Sequence, residues 1–168
     1  KESDLTPEWL CPDHLKKPEV LKEKNRFFRL SNYQEQLLEF YKKKQDFCVP
    51  SHRFNEVISF VENGLEDFSI SRQGSSFGIP IPFDPESVTY IWFDALYNYV
   101  TSCQEGDEIY WSQDCQKVHV LGKDISRFHA IYRPAMLWSA EYEVPDMELI
   151  NGFFTIDGQK MSKSLGNS

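Results

Sequence analysis

Apolar residues in the first third of the chain recur at helical spacing. Tyr33, Leu37, Leu38 and Tyr41 mark one helix face, and Ser31 and Gln34 stand at capping-box spacing where it opens. Lys42, Lys43 and Lys44 then place cations where a helix C-terminus favours them. Phe54, Val57, Ile58 and Val61 predict a second helix, opened by Pro50-Ser51 and stopped by Asn63-Gly64. Residues 1–24 are rich in Pro and charge and read as irregular.

Beyond Asp67 the period changes. Residues 68–72 and 78–82 predict extended pieces around a Gly-Ser loop. Residues 88–92 predict a strand, 95–103 a helix, and 117–121 a strand ending at Gly122. Residues 124–141 predict a long amphipathic helix through Ile125, Phe128, Tyr132, Ala135 and Met136, and 147–150 a third strand. Short strands alternating with helices predict an α/β fold with a doubly wound parallel sheet, because parallel strands need helical crossovers. Ligands of such sheets bind beyond the carboxyl ends of the strands. Those ends here are Trp92-Phe93-Asp94-Ala95, Gly122-Lys123-Asp124 and Asn151-Gly152. Two parts are expected, a helical one over 1–66 and a sheet-bearing one over 67–168. No internal repeat is visible.

Composition narrows the class. Of 168 residues, 40% are hydrophobic and 15% aromatic, enough for a core and too many for disorder. A net charge of −8 argues against a general nucleic-acid binder. Cys11, Cys48, Cys103 and Cys115 have no disulfide-framework spacing, which fits a reducing compartment. A cytoplasmic location is the expectation, with an organelle left open. No apolar run reaches the ~20 residues of a membrane helix. The polar start, residues 1–7, shows no signal peptide, and the absence of an initiating Met reads as a segment of a longer protein.

Three stretches carry candidate chemistry. Lys160-Met161-Ser162-Lys163-Ser164, followed by Leu165-Gly166-Asn167, places two lysines three residues apart on a Gly-flanked segment. Such a loop can close over a polyphosphate and neutralise charge that builds on it in a transition state. The plainer reading is a solvated basic tail. Gly122-Lys123-Asp124 follows a strand and opens a helix, where backbone can approach an anion closely. On spacing alone Asp124 is more often a helix cap than a ligand group. Phe128-His129 lies one turn further on, and Trp92, Ala95 and Tyr99 surround a small residue with aromatics. That suits a compact apolar pocket for a thioether or branched side chain, although pattern alone favours ordinary core packing.

Together these stretches resemble the methionyl-tRNA synthetases, a family of class I aminoacyl-tRNA synthetases. The likeness is carried by Asn25-Arg26-Phe27-Phe28-Arg29-Leu30-Ser31, Asp67-Phe68-Ser69-Ile70-Ser71-Arg72, Gly78-Ile79-Pro80-Ile81-Pro82, Ile91-Trp92-Phe93-Asp94-Ala95-Leu96, Gly122-Lys123-Asp124-Ile125, Phe128-His129-Ala130 and the lysine segment. It implies the C-terminal half of a Rossmann-like catalytic domain, preceded by the end of a connective insert. It implies methionine contacts from Trp92, Ala95, Leu96, Tyr99, Phe128 and His129. It implies ATP contacts from Arg72, Gly122, Asp124, Asn151, Gly152 and Lys163, with Lys160, Ser162 and Lys163 acting in catalysis. The expected reaction is attack of the methionine carboxylate on the α-phosphate of ATP, with Mg2+, and then transfer to tRNA through regions outside this chain. No membrane partner is expected.

Three features depart from the family pattern, and a fourth matches it only in part. The family usually carries a Trp, lining the methionine pocket, where Arg133 stands. An arginine buried there unpaired is costly, so either it turns outward or the pocket is altered. Asn151 stands where many members have His, which bears on the adenine contact. No His-x-Gly-His motif occurs. Cys11-Pro12-Asp13-His14 resembles half of a zinc knuckle; zinc takes four ligands, so Cys11 and His14 need a second pair from elsewhere in the longer enzyme. Two other readings stay open here: a class I synthetase of the Ile, Val and Leu subgroup, and a non-catalytic module that retains the motifs.

Overall fold

The computed structural model describes residues 5–11, 16–19, 23–74, 77–103 and 114–161, without the side chains of residues 159 and 160. Both helices of the first third form: α1 spans Gln34–Lys43 and α2 spans Ser51–Glu62. Leu37, Tyr41, Phe54, Val57 and Val61 are buried, as their spacing predicts. Gly64 follows α2 with φ +98°, the left-handed turn that favours glycine after a helix. The capping box does not form. Residues Leu30–Tyr33 are a 3-10 turn, Ser31 Oγ donates to Asp67 Oδ1 at 2.7 Å, and Gln34 Oε1 accepts from Leu65 N–H at 2.9 Å. Both side chains fasten α1 to the segment after α2 instead of capping their own helix.

Strand β1 (Phe27–Phe28) pairs antiparallel with β3 (Phe68–Ser69). Between them in sequence, β2 is two residues long, Cys48–Val49. The parallel sheet has the order β2-β8-β7, with β7 at Val118–Gly122 and β8 at Met147–Asn151. The strands expected at 117–121 and 147–150 are therefore present and parallel, and helices connect them. The strand expected at 88–92 is different. The chain folds β4 (Ser71–Gln73), β5 (Pro80–Ile81) and β6 (Asp84–Thr89) into a separate antiparallel sheet, and Ile91–Ala95 is helix α3. A short apolar run does not by itself distinguish strand from helix. Here the turn between Ile81 and Asp84 supplies β6 with an antiparallel partner. The third parallel strand is β2, which pairs with β8 through Cys48 and Val49.

A second short helix, α4, covers Asn98–Thr101. The crossover from β7 to β8, expected as one helix over 124–141, is helical without interruption from Lys123 to Ser139, and its pitch changes along the way. A 3-10 turn holds Lys123–Ile125, a π-helical turn holds Phe128–Tyr132, and α5 runs Arg133–Ser139. Pro134 fits the wider turn before it: it has no N–H to give the Ala130 carbonyl four residues back. The Tyr41 hydroxyl of α1 donates to that carbonyl instead, at 2.6 Å in the buried core. One apolar cluster joins Leu37, Tyr41, Phe54 and Val61 to Leu121, Ile131, Ala135 and Ile150. Among the described residues no helix is long and apolar enough to cross a membrane.

Candidate functional site

At the carboxyl ends of β7 and β8 a cavity of about 390 Å³ opens, lined by Gly122, Asp124, Asn151, Gly152, Phe153 and Met161 among others. Four of the six residues expected to hold ATP therefore share one cavity. A Cβ at Gly122 would lie 2.6 Å from Asp124 Oδ1, so a side chain there would make the Asp124 carboxylate shift. Asp124 makes no capping hydrogen bond and is exposed, so the helix-cap reading of that residue is not what the structure contains. The Lys123 ammonium lies 4.4 Å from the Phe153 ring centroid. The lysine segment approaches this cavity through a hairpin, β9 (Thr155–Ile156) with β10 (Gln159–Lys160). Asp157 and Gly158 turn it with φ +50° and +80°, as an Asp-Gly pair favours in a two-residue hairpin. Met161 N–H then bonds to the Phe154 carbonyl at 2.9 Å. The Lys160 backbone lies in this hairpin, while Ser162 and Lys163 lie outside the described residues.

The expected amino-acid contacts gather around the π-helical turn. Trp92 of α3 stacks on Phe128, centroids 4.3 Å apart and planes at 12°. Tyr99 of α4 and His129 Nε2 are 2.9 Å apart. Ala95 is half-buried at the end of α3, and Leu96 beside it is buried. His129 Nδ1 lies 3.1 Å from the Ile125 carbonyl, which can only accept, so Nδ1–H is the donor and Nε2 accepts the Tyr99 proton. Burial holds the His129 pKa below its usual value, which keeps this neutral tautomer.

Behind this pair lies a charged cluster that the sequence did not announce. Arg133 and Glu148 are both 0% exposed, and His119 lies between them. Arg133 turns inward. Its Nε–H donates to the Leu96 carbonyl at 3.0 Å, and its Nη1 is 3.0 and 3.2 Å from the two His119 ring nitrogens. His119 Nδ1 is 3.1 Å from Glu148 Oε1. A carboxylate only accepts, so Nδ1–H donates to Glu148 and Nε2 is left to accept from Arg133. The guanidinium carbon sits 4.5 Å from the Tyr99 ring centroid, and Tyr99 stacks on His119 at 4.4 Å. Burial pulls the Arg133 pKa down to about 10, with Glu148 opposing the shift, so the group stays charged at neutral pH. The signal for His119 and Glu148 was phase. Both occupy the inward positions of paired strands, alternating with buried Leu121 and Ile150, and they face each other in register.

Arg72 was expected with ATP and lies in a different cavity, of about 660 Å³, lined among others by Asp67, Ser69, Tyr90, Arg127 and Phe128. Its Nη1 bonds to Ser69 Oγ and the Ser71 carbonyl, and its guanidinium carbon sits 4.1 Å from the Tyr90 ring centroid. Phe128 separates the ring of Trp92 from this space. Cys11 carries a half-buried thiol, and His14 lies outside the described residues. Among the described residues no group of three or more His, Cys, Asp or Glu side chains could hold a metal ion.

Residues 7–168 match the family described as tRNA synthetases class I (M). The methionine–tRNA ligase of Thermosynechococcus vestitus is 47% identical over 175 aligned positions, covering 100% of this chain and 33% of that protein. The methionine–tRNA ligase of Nostoc sp. is 49% identical, over 94% of this chain and 31% of its own length. The chain thus spans about a third of these relatives. Among solved structures, Mycobacterium tuberculosis methionyl-tRNA synthetase bound by methionyl-adenylate superposes with a TM-score of 0.82 and 42% identity, over 94% of this chain and 32% of that one. Its apo form gives 0.76 and 41%, over 86% and 30%.

Proposed function

The chain belongs to the class I tRNA synthetases of the M type, and from that membership we propose that it is the second half of a catalytic domain that activates methionine with ATP and passes it to tRNA. The observation that carries this reading is the convergence of Gly122, Asp124, Asn151 and Gly152 on one cavity beside Met161, where the lysine segment begins. The adenylate-bound M. tuberculosis structure, similar over 94% of this chain, supports the same substrate pair. Val118 and Val120 face outward from β7 at 41% and 66% exposure. Parallel sheets are ordinarily covered on both faces, which supports a further layer from the rest of the domain.

A methionine carboxylate oxygen attacks the α-phosphorus, the bond to the β-phosphate oxygen breaks, and pyrophosphate leaves. A hydroxyl at the tRNA terminus then takes the methionyl group, and AMP leaves. Tyr99 and His129, with Trp92 and Phe128 beside them, hold the amino-acid side chain; Ala95 and Leu96 leave it room. The cavity at Gly122 and Asn151 holds the nucleotide. Arg72 reaches it only by leaving the Ser69 and Tyr90 contacts it now makes. Lys160 and Lys163 neutralise the charge growing on pyrophosphate, with Ser162 between them. Asp124 is the carboxylate lining that cavity and would help to hold Mg2+, which would supply charge screening on the phosphates. Zinc has no such support: Cys11 and His14 are at most half of a four-ligand set, and no step involves them. A cytoplasmic location goes with this reading.

The test is Ala95→Leu in the full-length protein. A bulkier side chain at that position should raise the KM for methionine at least about tenfold and that for ATP less than about twofold. Equal effects on both substrates would remove Ala95 from the amino-acid pocket.

A further inference from the structure

The cluster of Arg133, His119 and Glu148 lies outside the set of residues that touches either substrate in the reading above. It is nevertheless tied to that set at several points. Arg133 binds the carbonyl of Leu96, next to Ala95. Its guanidinium packs against the Tyr99 ring, and His119 stacks on the same ring. Tyr99 in turn donates to His129. Glu148 anchors the far end from β8, so the chain of contacts runs from the centre of the parallel sheet to the Tyr99 hydroxyl.

We propose that Arg133, His119 and Glu148 are positioning residues that fix the Tyr99 ring and so set the affinity for the amino acid. The proposal rests on the reading of Tyr99 and His129 as contacts to methionine. A buried charge cluster is a poor source of net stability, because desolvation opposes the attraction between its members. What it supplies is geometry. The guanidinium is a planar fork whose Nε and Nη1 point at Leu96 and His119 together, leaving its face against Tyr99. Tyr99 sits on the four-residue helix α4, which has little packing of its own to hold the ring: within it only Val100 is buried. Loss of the cluster leaves Tyr99 able to rotate away from His129, and the amino-acid site loses its hydroxyl while the nucleotide cavity at Gly122 keeps its lining.

The experiment compares Arg133→Met, Glu148→Leu, the double variant and Arg133→Lys in the full-length protein, reading thermal midpoints and the KM values for methionine and ATP in pyrophosphate exchange. Each single apolar variant leaves one buried charge without its counterpart and should melt earlier. The double variant removes both charges, so its midpoint should return towards wild type while its KM for methionine stays raised by about fivefold or more and its KM for ATP moves less than about twofold. Arg133→Lys keeps the charge but not the fork and should also raise the methionine KM at near wild-type stability. A double variant that is stable and has a wild-type methionine KM overturns the proposal, as does an Arg133→Lys variant with unchanged KM. If the single variants do not fold, these two decide. Failure of the functional reading shows separately, in a wild-type protein that exchanges with another amino acid; the cluster is then judged on the KM for that amino acid.

Discussion

Removing one buried oxygen atom tests the packing that carries the π-helical turn. Tyr41→Phe deletes the hydroxyl that donates to the Ala130 carbonyl at 2.6 Å and leaves the ring in place. Tyr41 is 2% exposed, and Ala130 is 0% exposed, so water cannot replace the donor. Pro134 cannot replace it either, because it has no N–H. A buried acceptor left unsatisfied costs about 1–3 kcal/mol, and the short bond and full burial place this one near about 2 kcal/mol. Native-state hydrogen exchange of the α5 amides in the full-length protein reads the opening free energy of this segment directly. At about 2 kcal/mol the protection factors should fall roughly thirtyfold. The same substitution made in a Pro134→Ala background should cost less than half as much, because residue 134 then offers an N–H to Ala130. An equal loss in both backgrounds would refute the link between the proline, the Ala130 carbonyl and the tyrosine.

Two further predictions follow from the site. Lys163→Ala should slow adenylate formation by roughly 10²–10³ in pre-steady-state measurements while the Kd for ATP moves much less, since a lysine that meets charge only in the transition state contributes little to ground-state binding. A proportional loss of ATP affinity would make Lys163 a simple phosphate anchor. His129 has its pKa lowered by burial, so between its folded value and the usual 6.5 the unfolded chain binds the extra proton. Stability should therefore fall as pH drops below about 6.5, and the His129→Gln variant should show a shallower fall in thermal midpoint between pH 7.5 and 5. Identical slopes for the two proteins would count against the buried neutral imidazole.

Much of this architecture was legible in the chain because it follows from period and punctuation. The stripes of α1 and α2, the Gly64 stop, the Asp157-Gly158 turn and the parallel strands ending at Gly122 and Asn151 all rest on local rules. The misplacement of the 88–92 strand has a physical reason: the apolar run fits either period, and the partner of β6 lies in a hairpin set by the turn after Ile81. Strand β2 is too short to have a period, and it is a strand only because β8 lies beside it. Ser31 and Gln34 had capping spacing, but the segment at 65–67 competes for their side chains. The cavity at Gly122, Asp124, Asn151 and Gly152 was foreseen from strand ends, and Tyr99 with His129 from the family likeness. The charged cluster was not. A His and a Glu at inward strand positions look like ordinary exceptions until the register sets them face to face and Arg133 turns in to meet them.

The choice of amino acid is what most sharply defines the proposed function. Pyrophosphate exchange into ATP, measured for the full-length protein with each of the twenty amino acids in turn, reads that choice without tRNA. Methionine should support exchange with a kcat/KM at least about a hundredfold above that of isoleucine, valine or leucine. Exchange driven by one of those three, or none with any amino acid, would contradict it.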